Sequence, residues 1–394
     1  MDYNKYLNPV AVGLKPSGIR RFFDITEKMQ DVISLGVGEP DFKTPWHIRH
    51  AGIASLENGK TRYTANRGLL TLREEICRFV KRRYNLNYAV NEVLVTVGGS
   101  EAIDVAVRAL VAPGDEVLVP QPSFVCYEPI VTLAGGQPVG VELSAKDQFI
   151  LTPKKLEQHI TPKTKALVLP FPCNPTGAVM RRGDLEKIAA VIKKHDLFVI
   201  SDEIYAELTY GGERHVSIAE IDGMRERTVI ASGFSKTYSM TGWRLGYALA
   251  PKEITTIMTK IHQFAIMSAP TTSQYAAIEA LRHGDEDITR MAEEYDTRRR
   301  LIVDGFRRIG LDCFEPQGAF YVFPCIKSTG LSSEDFCEQL LYAKKVAMIP
   351  GDAFGLGGEG FVRASYCYSV DHIKEALRRT GEFLKELKGE NFNR

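Results

Sequence analysis

The central part of the chain alternates short apolar runs with longer helical patterns, and no other feature of the sequence constrains the fold as strongly. The runs are rich in β-branched residues and apolar at nearly every position, which is typical of strands that helices cover on both faces. We predict strands at VLVTV (93–97), EVLVP (116–120), PVGVEL (138–143), KALVLP (165–170), LFVIS (197–201), TVIAS (228–232) and GYALA (246–250). Helices are predicted before and between these runs, including 69–84, 101–111 and 184–195. The pattern predicts an α/β fold with a mainly parallel central sheet and helices on both faces.

The pattern changes after about residue 288. A long charged helix is followed there by shorter elements, namely strands at GAFYVFP (318–324), VAMIP (346–350) and FVRASY (361–366), a helix near 333–343 and a last helix from Asp371. This mixture predicts a smaller α+β domain. We therefore expect a large domain over residues 46–287, a small C-terminal domain over 288–394, and an N-terminal segment, 1–45, that packs with the small domain.

The composition excludes several classes of protein. The formal net charge of the 394 residues is +1, so no overall field attracts nucleic acid or an anionic membrane. No apolar run reaches the length of a membrane span, and the start of the chain lacks the apolar stretch of a secretory signal. The seven cysteines are odd in number and form no CxxC pair, which indicates reduced thiols, no zinc site and a cytoplasmic location.

Chemically useful residues follow five of the predicted strands at the point where each strand ends. In open α/β sheets ligands bind beyond the carboxyl ends of the strands, so these residues are candidates for one site. They occur in Gly98–Glu101, Gln121–Phe124, FPCNPTG with Asn174, Asp202–Tyr205 and Gly233–Lys236. A turn of small residues, an aromatic ring, an amide, an acid with a tyrosine, and a lysine are thus predicted to lie close together.

This set of residues matches the requirements of pyridoxal 5'-phosphate (PLP), which a lysine amine binds as a Schiff base. The lysine would be Lys236, and Asp202 would keep the pyridine nitrogen protonated. Gly99 and Ser100 open a helix, whose backbone N–H groups and dipole can hold a phosphate. A stacking face, donors to the phenolic oxygen and further phosphate ligands are also required, and the candidates are Phe124, Asn174 with Tyr205, and Ser235 with Arg244.

Motifs along almost the whole chain resemble those of the class I/II aminotransferases of PLP fold type I. In order they are SLGVGEPDF, YTANRGLLTLREEI, NPTG, SDEIYAELTY, GFSKTYSMTGWRLGY, PQGAFYVFP and FVRASY. The resemblance is to the aspartate, alanine and aromatic aminotransferase group. It implies a PLP-dependent transfer of an α-amino group between an amino acid and a 2-oxo acid.

The resemblance also implies a role for each candidate residue. Lys236 resembles the PLP lysine and general base, and Asp202 the partner of the pyridine nitrogen. Asn174 and Tyr205 resemble the donors to the phenolic oxygen, and Phe124 the stacking aromatic. The resemblance implies five residues at the phosphate, namely Gly99, Ser100, Glu101, Ser235 and Arg244. Of these, Glu101 directly follows Ser100 at the helix start.

Two further roles follow from the same resemblance. Arg363, together with Gly38 and Asn174, resembles the clamp on the α-carboxylate of the substrate. Tyr63 resembles the tyrosine that reaches the phosphate of the neighbouring subunit's cofactor. A homodimer with shared active sites is therefore implied.

Two departures from the aspartate branch bear on the substrate. Gly233 stands three residues before the lysine, where that branch often has a serine, and the segment 262–274 holds no arginine for a distal carboxylate. A buried carboxylate without a partner is costly, so we expect alanine or an aromatic amino acid to be used at least as well as aspartate. The usual acceptor would be 2-oxoglutarate, whose distal carboxylate a lysine, a backbone N–H or Arg20 would meet. The expected apolar lining is FAIMSAP (264–270), Ile19 and Tyr127.

Other functions remain open. A carbon–sulfur β-lyase or a related elimination enzyme would keep the fold and the cofactor but release pyruvate and ammonia without an added oxo acid. A non-enzymatic regulator would resemble fusions with a DNA-binding helix-turn-helix, for which the residues before SLGVGEPDF are too few. The run GLGGEG (355–360) matches a dinucleotide fingerprint in letters only, because it leads into a predicted strand rather than a helix.

Overall fold

The computed structural model of the protein describes residues 1, 3–16, 18, 29–212 and 214–389. Its helices are α1 (Pro9–Gly13), α2 (Trp46–Glu57), α3 (Leu70–Tyr84), α4 (Gly99–Leu110), α5 (Tyr127–Leu133), α6 (Pro153–Gln158), α7 (Arg182–Lys194), α8 (Lys252–Ala265), α9 (Thr271–His283), α10 (Asp285–Arg308), α11 (Ser333–Lys344) and α12 (Val370–Leu387). Its strands are β1 (Ile33–Ser34), β2 (Val93–Thr96), β3 (Glu116–Gln121), β4 (Gln137–Glu142), β5 (Thr164–Leu169), β6 (Phe198–Asp202), β7 (Thr228–Gly233), β8 (Gly246–Leu249), β9 (Asp312–Cys313), β10 (Tyr321–Val322), β11 (Pro324–Cys325), β12 (Val346–Ala347), β13 (Ile349–Pro350) and β14 (Val362–Ser365).

A seven-stranded sheet lies at the centre of the described part of the chain, in the order β2-β8-β7-β6-β5-β3-β4. Its strands coincide with the predicted runs to within one residue at either end. The pairs from β4 through β3, β5 and β6 to β7 are parallel, and β8 runs antiparallel to β2 and β7. The predicted α/β fold with a mainly parallel sheet is confirmed.

The strands of this sheet are buried on both faces. Leu167 of β5 packs in a core that includes Leu185 of α7, whereas the next residue, Val168, packs on the opposite face in a core that includes Ile103 of α4. Helices α5 and α8 cover the same face as α4. Because successive side chains of a strand point to opposite faces, both faces need apolar residues, and the strands have continuous apolar sequences.

Strand β8 returns beside β7 after a compact turn, residues 234–245, rather than after a crossover helix. Gly246, the first residue of β8, faces Gly233 across the strand pair. A Cβ atom on Gly246 would lie 2.5 Å from the carbonyl carbon of Gly98 and 2.7 Å from the nitrogen of Gly99. Glycine at this position therefore lets the turn that carries the lysine pack directly against the start of α4.

The C-terminal region combines the long helix α10 with small sheets. Strand β14 lies between β10 and β13, β9 pairs with β11, and β1 from the N-terminal segment pairs in parallel with β12. The single strand predicted at GAFYVFP is wrong, because the run is divided into β10 and β11, and VAMIP is likewise divided into β12 and β13. The division arises because the two halves of each run pair with different strands.

The N-terminal segment contacts both regions of the molecule. Besides the pairing of β1 with β12, helix α1 lies against α5 of the central region. The domain boundaries stay predictions, and Ile19 and Arg20 lie outside the described residues. The run GLGGEG is a loop that leads into β14, as its sequence context predicts.

Three further properties of the described residues concern membrane spans, metal sites and cysteines. None of their helices combines the length and the apolar composition that crossing a membrane requires. Within the same residues, no cluster of three histidine, cysteine or acidic side chains is placed to hold a metal ion. The seven cysteines are free, but a cytoplasmic location stays a prediction.

Candidate active site

A cavity of about 400 Å³ opens at the carboxyl ends of the central strands and is closed on one side by the C-terminal region. The predicted site residues that line it are Gly38, Gly99, Ser100, Phe124, Asn174, Asp202, Tyr205, Ser235, Lys236, Arg244 and Arg363. Other walls are formed by Val37, Glu39, Ile103, Tyr127, Pro172, Ile204, Thr241 and Tyr321. The fold thus brings together residues that the sequence spreads over more than three hundred positions.

Lys236 projects into this cavity from the turn that follows β7. Its Nζ donates a hydrogen bond to the Gly38 carbonyl at 2.7 Å and lies 5.6 Å from the centre of the Phe320 ring. Burial lowers the pKa of the Lys236 amine from 10.5 to about 8, and the positive charge of Arg363 acts in the same direction. The small and apolar surroundings of Lys236 therefore favour its neutral amine, which is the form that acts as a nucleophile and as a base.

Asp202 ends β6 and is buried on the floor of the cavity. Its carboxylate accepts hydrogen bonds from the Tyr127 hydroxyl at 2.8 Å and from the Ile204 backbone N–H at 3.2 Å. Burial raises the pKa of Asp202 from 3.8 to about 6, although both hydrogen bonds oppose the increase. The sequence reasoning treated Tyr127 as apolar lining and missed its hydroxyl, which is the side-chain donor to this acid.

Arg363 lies on β14 and is buried inside the cavity wall. Its Nη1 donates to Asn174 Oδ1 at 2.9 Å, and its Nη2 donates to the Gly36 carbonyl. The Nε–H is also buried but has no hydrogen-bond partner among the described residues. Since an unsatisfied buried donor costs free energy, this atom is available for an anionic ligand in the cavity.

Tyr205 and Tyr321 form a hydroxyl pair on the same side of the cavity. Their oxygens are 2.8 Å apart, and both side chains are buried. The ring of Tyr321 also lies 4.5 Å from the guanidinium carbon of Arg363. The sequence reasoning missed Tyr321, although a hydroxyl in the middle of the otherwise apolar run GAFYVFP is a signal that could have found it.

The start of α4 faces the cavity with two backbone amides. Gly99 and Ser100 are its first residues, and the first N–H groups of a helix have no partner within the helix. Arg244 approaches this turn so closely that a Cβ atom on Gly98 would lie 2.8 Å from its Nη2. Ser235 lines the same cavity. The turn, the hydroxyl and the guanidinium together form a corner whose chemistry suits an anion, and we call it the anion-binding corner.

The glycine at position 233 has a steric explanation. A Cβ atom there would lie 3.0 Å from the Cα of Gly246 and 3.1 Å from the carbonyl oxygen of Leu245. A serine at this position would therefore require β7 and β8 to separate slightly. The absence of a hydroxyl at this point of the corner follows from the close pairing of the two strands.

Phe124 is a half-buried wall of the cavity. Its ring contacts that of Tyr127 edge to face, with centres 6.1 Å apart. Because Tyr127 is itself held by Asp202, the aromatic wall and the buried acid are fixed together.

The side chains of Glu101 and Tyr63 do not line the cavity. Glu101 accepts from the Val97 N–H and from His262 Nδ1, the latter at 2.6 Å, so its carboxylate is turned away from the predicted phosphate position. Tyr63 is 83% exposed. The predicted lining at 264–270 is also outside the cavity of this chain, and Phe264 in it is 87% exposed.

The fold and the cavity define an α/β protein in which a lysine amine and a buried carboxylate line one cavity. Residues 30–379 match the family model of aminotransferase class I and II. The chain is 53% identical to YugH of Bacillus subtilis (strain 168), an aminotransferase by name, over 96% of this chain and 98% of that protein.

Two further relatives carry more specific names. An aspartate aminotransferase of Pyrococcus abyssi (strain GE5 / Orsay) is 46% identical, over 95% of this chain and 97% of that protein. The crystal structure of an aromatic aminotransferase from Pyrococcus horikoshii OT3 matches with a TM-score of 0.89 and 44% identity, covering 93% of this chain and 99% of that one. The chain therefore belongs to the class I and II aminotransferases, a family whose members depend on PLP.

Proposed function

We propose that this aminotransferase holds PLP in the cavity and moves an α-amino group from an amino acid to a 2-oxo acid. The observation that supports this most strongly is that one cavity holds a lysine and an aspartate whose pKa values are shifted in opposite directions. Burial lowers the pKa of Lys236 to about 8 and raises the pKa of Asp202 to about 6. A buried carboxylate is costly without a cation, and a protonated pyridine nitrogen beside Asp202 would remove that cost.

The cavity walls offer a candidate partner for each side of the cofactor. Asn174 and Tyr205 can donate to the phenolic oxygen, and the ring of Phe124 can stack on the pyridine. The anion-binding corner at the start of α4 suits the phosphate, with Arg244 as its cation. The backbone N–H of Glu101 belongs to the same first helical turn, so Glu101 can still contact the phosphate through its backbone.

The protein's own groups would then perform the proton transfers and the binding. When bound, PLP supplies an electron sink for negative charge at the α-carbon of the amino acid. Lys236, whose free amine is held by the Gly38 carbonyl, would take the proton from that carbon and return it during transfer. Arg363 would hold the α-carboxylate through its free Nε–H, with Asn174 fixing the guanidinium.

A direct assay distinguishes amino transfer from elimination. An aminotransferase should convert the donor only when a 2-oxo acid is added, whereas a β-lyase would release pyruvate and ammonia from a cysteine-like substrate without one. The named relatives are aminotransferases and give the lyase no support. Turnover that does not depend on an added oxo acid would contradict the proposal.

We propose further that neutral donors are used at least as well as aspartate. The usual acceptor would be 2-oxoglutarate, whose distal carboxylate a lysine, a backbone N–H or Arg20 would meet. Among the described residues the cations that line the cavity are Lys236, Arg244 and Arg363, and each already has a proposed partner. The remaining walls include Val37 and Ile103, which suit an apolar side chain. The kcat/KM values of alanine, phenylalanine, tyrosine and aspartate should be compared with one acceptor. An advantage of more than about 100-fold for aspartate, or ~2.7 kcal/mol, would show another cation in the pocket.

Finally, we propose a homodimer that completes each active site. Tyr63 and the exposed residues 264–267 lie together, since the Asn66 side chain donates to the Met267 carbonyl at 2.9 Å. An exposed apolar surface of this kind is typical of a subunit interface. Inactive Tyr63→Ala and Lys236→Ala chains should regain activity after subunit exchange, because one site of the mixed dimer has both wild-type residues. Proven exchange without recovery would place Tyr63 outside the partner's site.

A further inference from the structure

Tyr321 connects two side chains with different proposed tasks. Its hydroxyl oxygen lies 2.8 Å from that of Tyr205, the proposed donor to the phenolic oxygen of the cofactor. Its ring lies 4.5 Å from the guanidinium carbon of Arg363, the proposed ligand of the α-carboxylate. All three side chains are buried and line the same cavity. A single residue therefore contacts both the cofactor side and the substrate side of the site.

The backbone holds Tyr321 in this position from two directions. In the antiparallel pair of β10 and β14, Tyr321 faces Ser365, which is two residues from Arg363 on the same strand. Side chains in this diagonal relation lie on one face of a sheet and within reach of each other. On the other side, a Cβ atom on Gly38 would lie 1.9 Å from the Tyr321 hydroxyl oxygen, so glycine there leaves space for the hydroxyl.

We propose that Tyr321 is a positioning residue that donates a hydrogen bond to Tyr205 and thereby transmits the binding of a carboxylate at Arg363 to the phenolic-oxygen side of the cofactor. The inference rests on the proposed function. When the Tyr205 proton points to the cofactor, the Tyr205 oxygen can only accept, and Tyr321 is the donor at 2.8 Å. A hydrogen bond that is accepted in this way strengthens the one that is donated.

In the proposed relay, the cation at Arg363 strengthens the hydrogen bond that Tyr321 donates. Burial raises the pKa of Tyr321 to about 12, and the positive charge of Arg363 opposes the increase. A carboxylate bound to Arg363 neutralises part of that charge, so the hydroxyl becomes a weaker donor and so does Tyr205. Donation to the phenolic oxygen favours the deprotonated form of the linkage between lysine and cofactor. Binding of a carboxylate should therefore raise the pH at which the visible absorbance of the holoenzyme changes.

The experiment compares the wild-type holoenzyme with Tyr321→Phe and with a matched control, Tyr366→Phe. Tyr366 is equally buried, and its hydroxyl donates to the Ala319 carbonyl at 3.0 Å without lining the cavity. The visible absorbance is titrated with pH in the absence and presence of saturating 3-phenylpropanoate, a carboxylate that has no amino group. Thermal unfolding of the apo-proteins is measured in parallel.

In Tyr321→Phe the midpoint pH of the absorbance titration should rise by about 0.3 pH unit without the ligand, as expected from the modest cooperativity of hydrogen-bond chains. The further rise on adding 3-phenylpropanoate should be smaller than that in the wild type. Tyr366→Phe should keep the wild-type midpoint and ligand response even if its apo-protein loses as much thermal stability, which separates the relay from a structural role.

A wild-type midpoint and ligand response in Tyr321→Phe would overturn the relay while leaving the proposed function intact. A purified wild-type protein that binds no PLP, with no visible band after PLP is added, would instead contradict the proposed function itself.

Discussion

The two walls of the cavity are built in different ways. One wall carries Asp202 at the end of β6, where it faces Ala231 in the sheet register, and Lys236 on the turn that follows the adjacent parallel strand β7. The other carries Arg363 and Tyr321 on short C-terminal strands, held by contacts to residues 116 to 327 positions away along the chain.

The first wall thus derives its geometry from the central sheet, and the second derives it from long-range side-chain contacts. Since the reacting groups are on the first wall and the proposed carboxylate ligand is on the second, the chemistry and the handling of substrate should be separable by mutation.

The largest effect is expected from removal of the lysine amine. Lys236→Ala should lose its pH-sensitive visible absorbance and at least ~10⁴-fold in kcat, because both the covalent anchor and the general base are lost. Binding of 3-phenylpropanoate, which depends on the other wall, should stay within threefold of the wild type. The exposed Lys252→Ala is the control. Wild-type turnover in Lys236→Ala would falsify the assignment.

A smaller but still large effect is expected at the buried acid. Asp202→Asn should fold and bind cofactor, yet lose ~10³-fold or more in the rate of a single turnover, because an amide cannot hold the positive charge of the pyridine nitrogen. The rate should be measured at saturating amino acid, so that substrate binding does not contribute. A loss of less than tenfold would contradict this role for Asp202.

The same residue should make the stability of the apo-protein depend on pH. The pKa of Asp202 is raised from 3.8 to about 6 in the folded state, so its contribution is fully present below pH 3.8 and is lost as pH rises through 6. Relative to Asp202→Asn, the apo wild type should lose ~2.4 kcal/mol in free energy of unfolding between about pH 4 and pH 7. Urea unfolding measures this. Identical pH profiles of the two apo-proteins would mean that burial does not perturb the acid.

The smallest effect is expected at the second wall. Arg363→Lys keeps the charge but loses the fork that contacts Asn174 and Gly36, so kcat/KM should fall about 30-fold, or ~2 kcal/mol, mainly through KM. The visible band and the affinity for PLP should stay close to those of the wild type. The exposed Arg300→Lys on α10 is the control. A large loss of cofactor instead of substrate affinity would show that the two walls are not separable.

Much of the first wall could be predicted from the sequence. A continuous apolar run defines where a buried strand ends, and β7 and β6 end within one residue of the predicted positions. The next residues must then lie at the carboxyl edge of the sheet, which brings Asp202 and Lys236 into one cavity. Roles for these residues in binding and catalysis stay predictions until they are tested.

The prediction at Glu101 shows where local reasoning is insufficient. The sequence places this residue beside Ser100 in the proposed phosphate turn, but His262 from α8 and the Val97 N–H hold its carboxylate elsewhere. The partner of a polar side chain depends on which distant element packs against it, and adjacency in sequence does not specify that element.

The sequence by itself determined the central sheet, the position of its strand ends and the residue types delivered there, because hydrophobic periodicity is a local property of the chain. Only the tertiary structure decided the hydroxyl partners Tyr127 and Tyr321 and the division of GAFYVFP into β10 and β11. A two-residue strand is stabilised by the strand it meets and a buried hydroxyl by the acceptor it meets, and in this protein both come from distant parts of the chain.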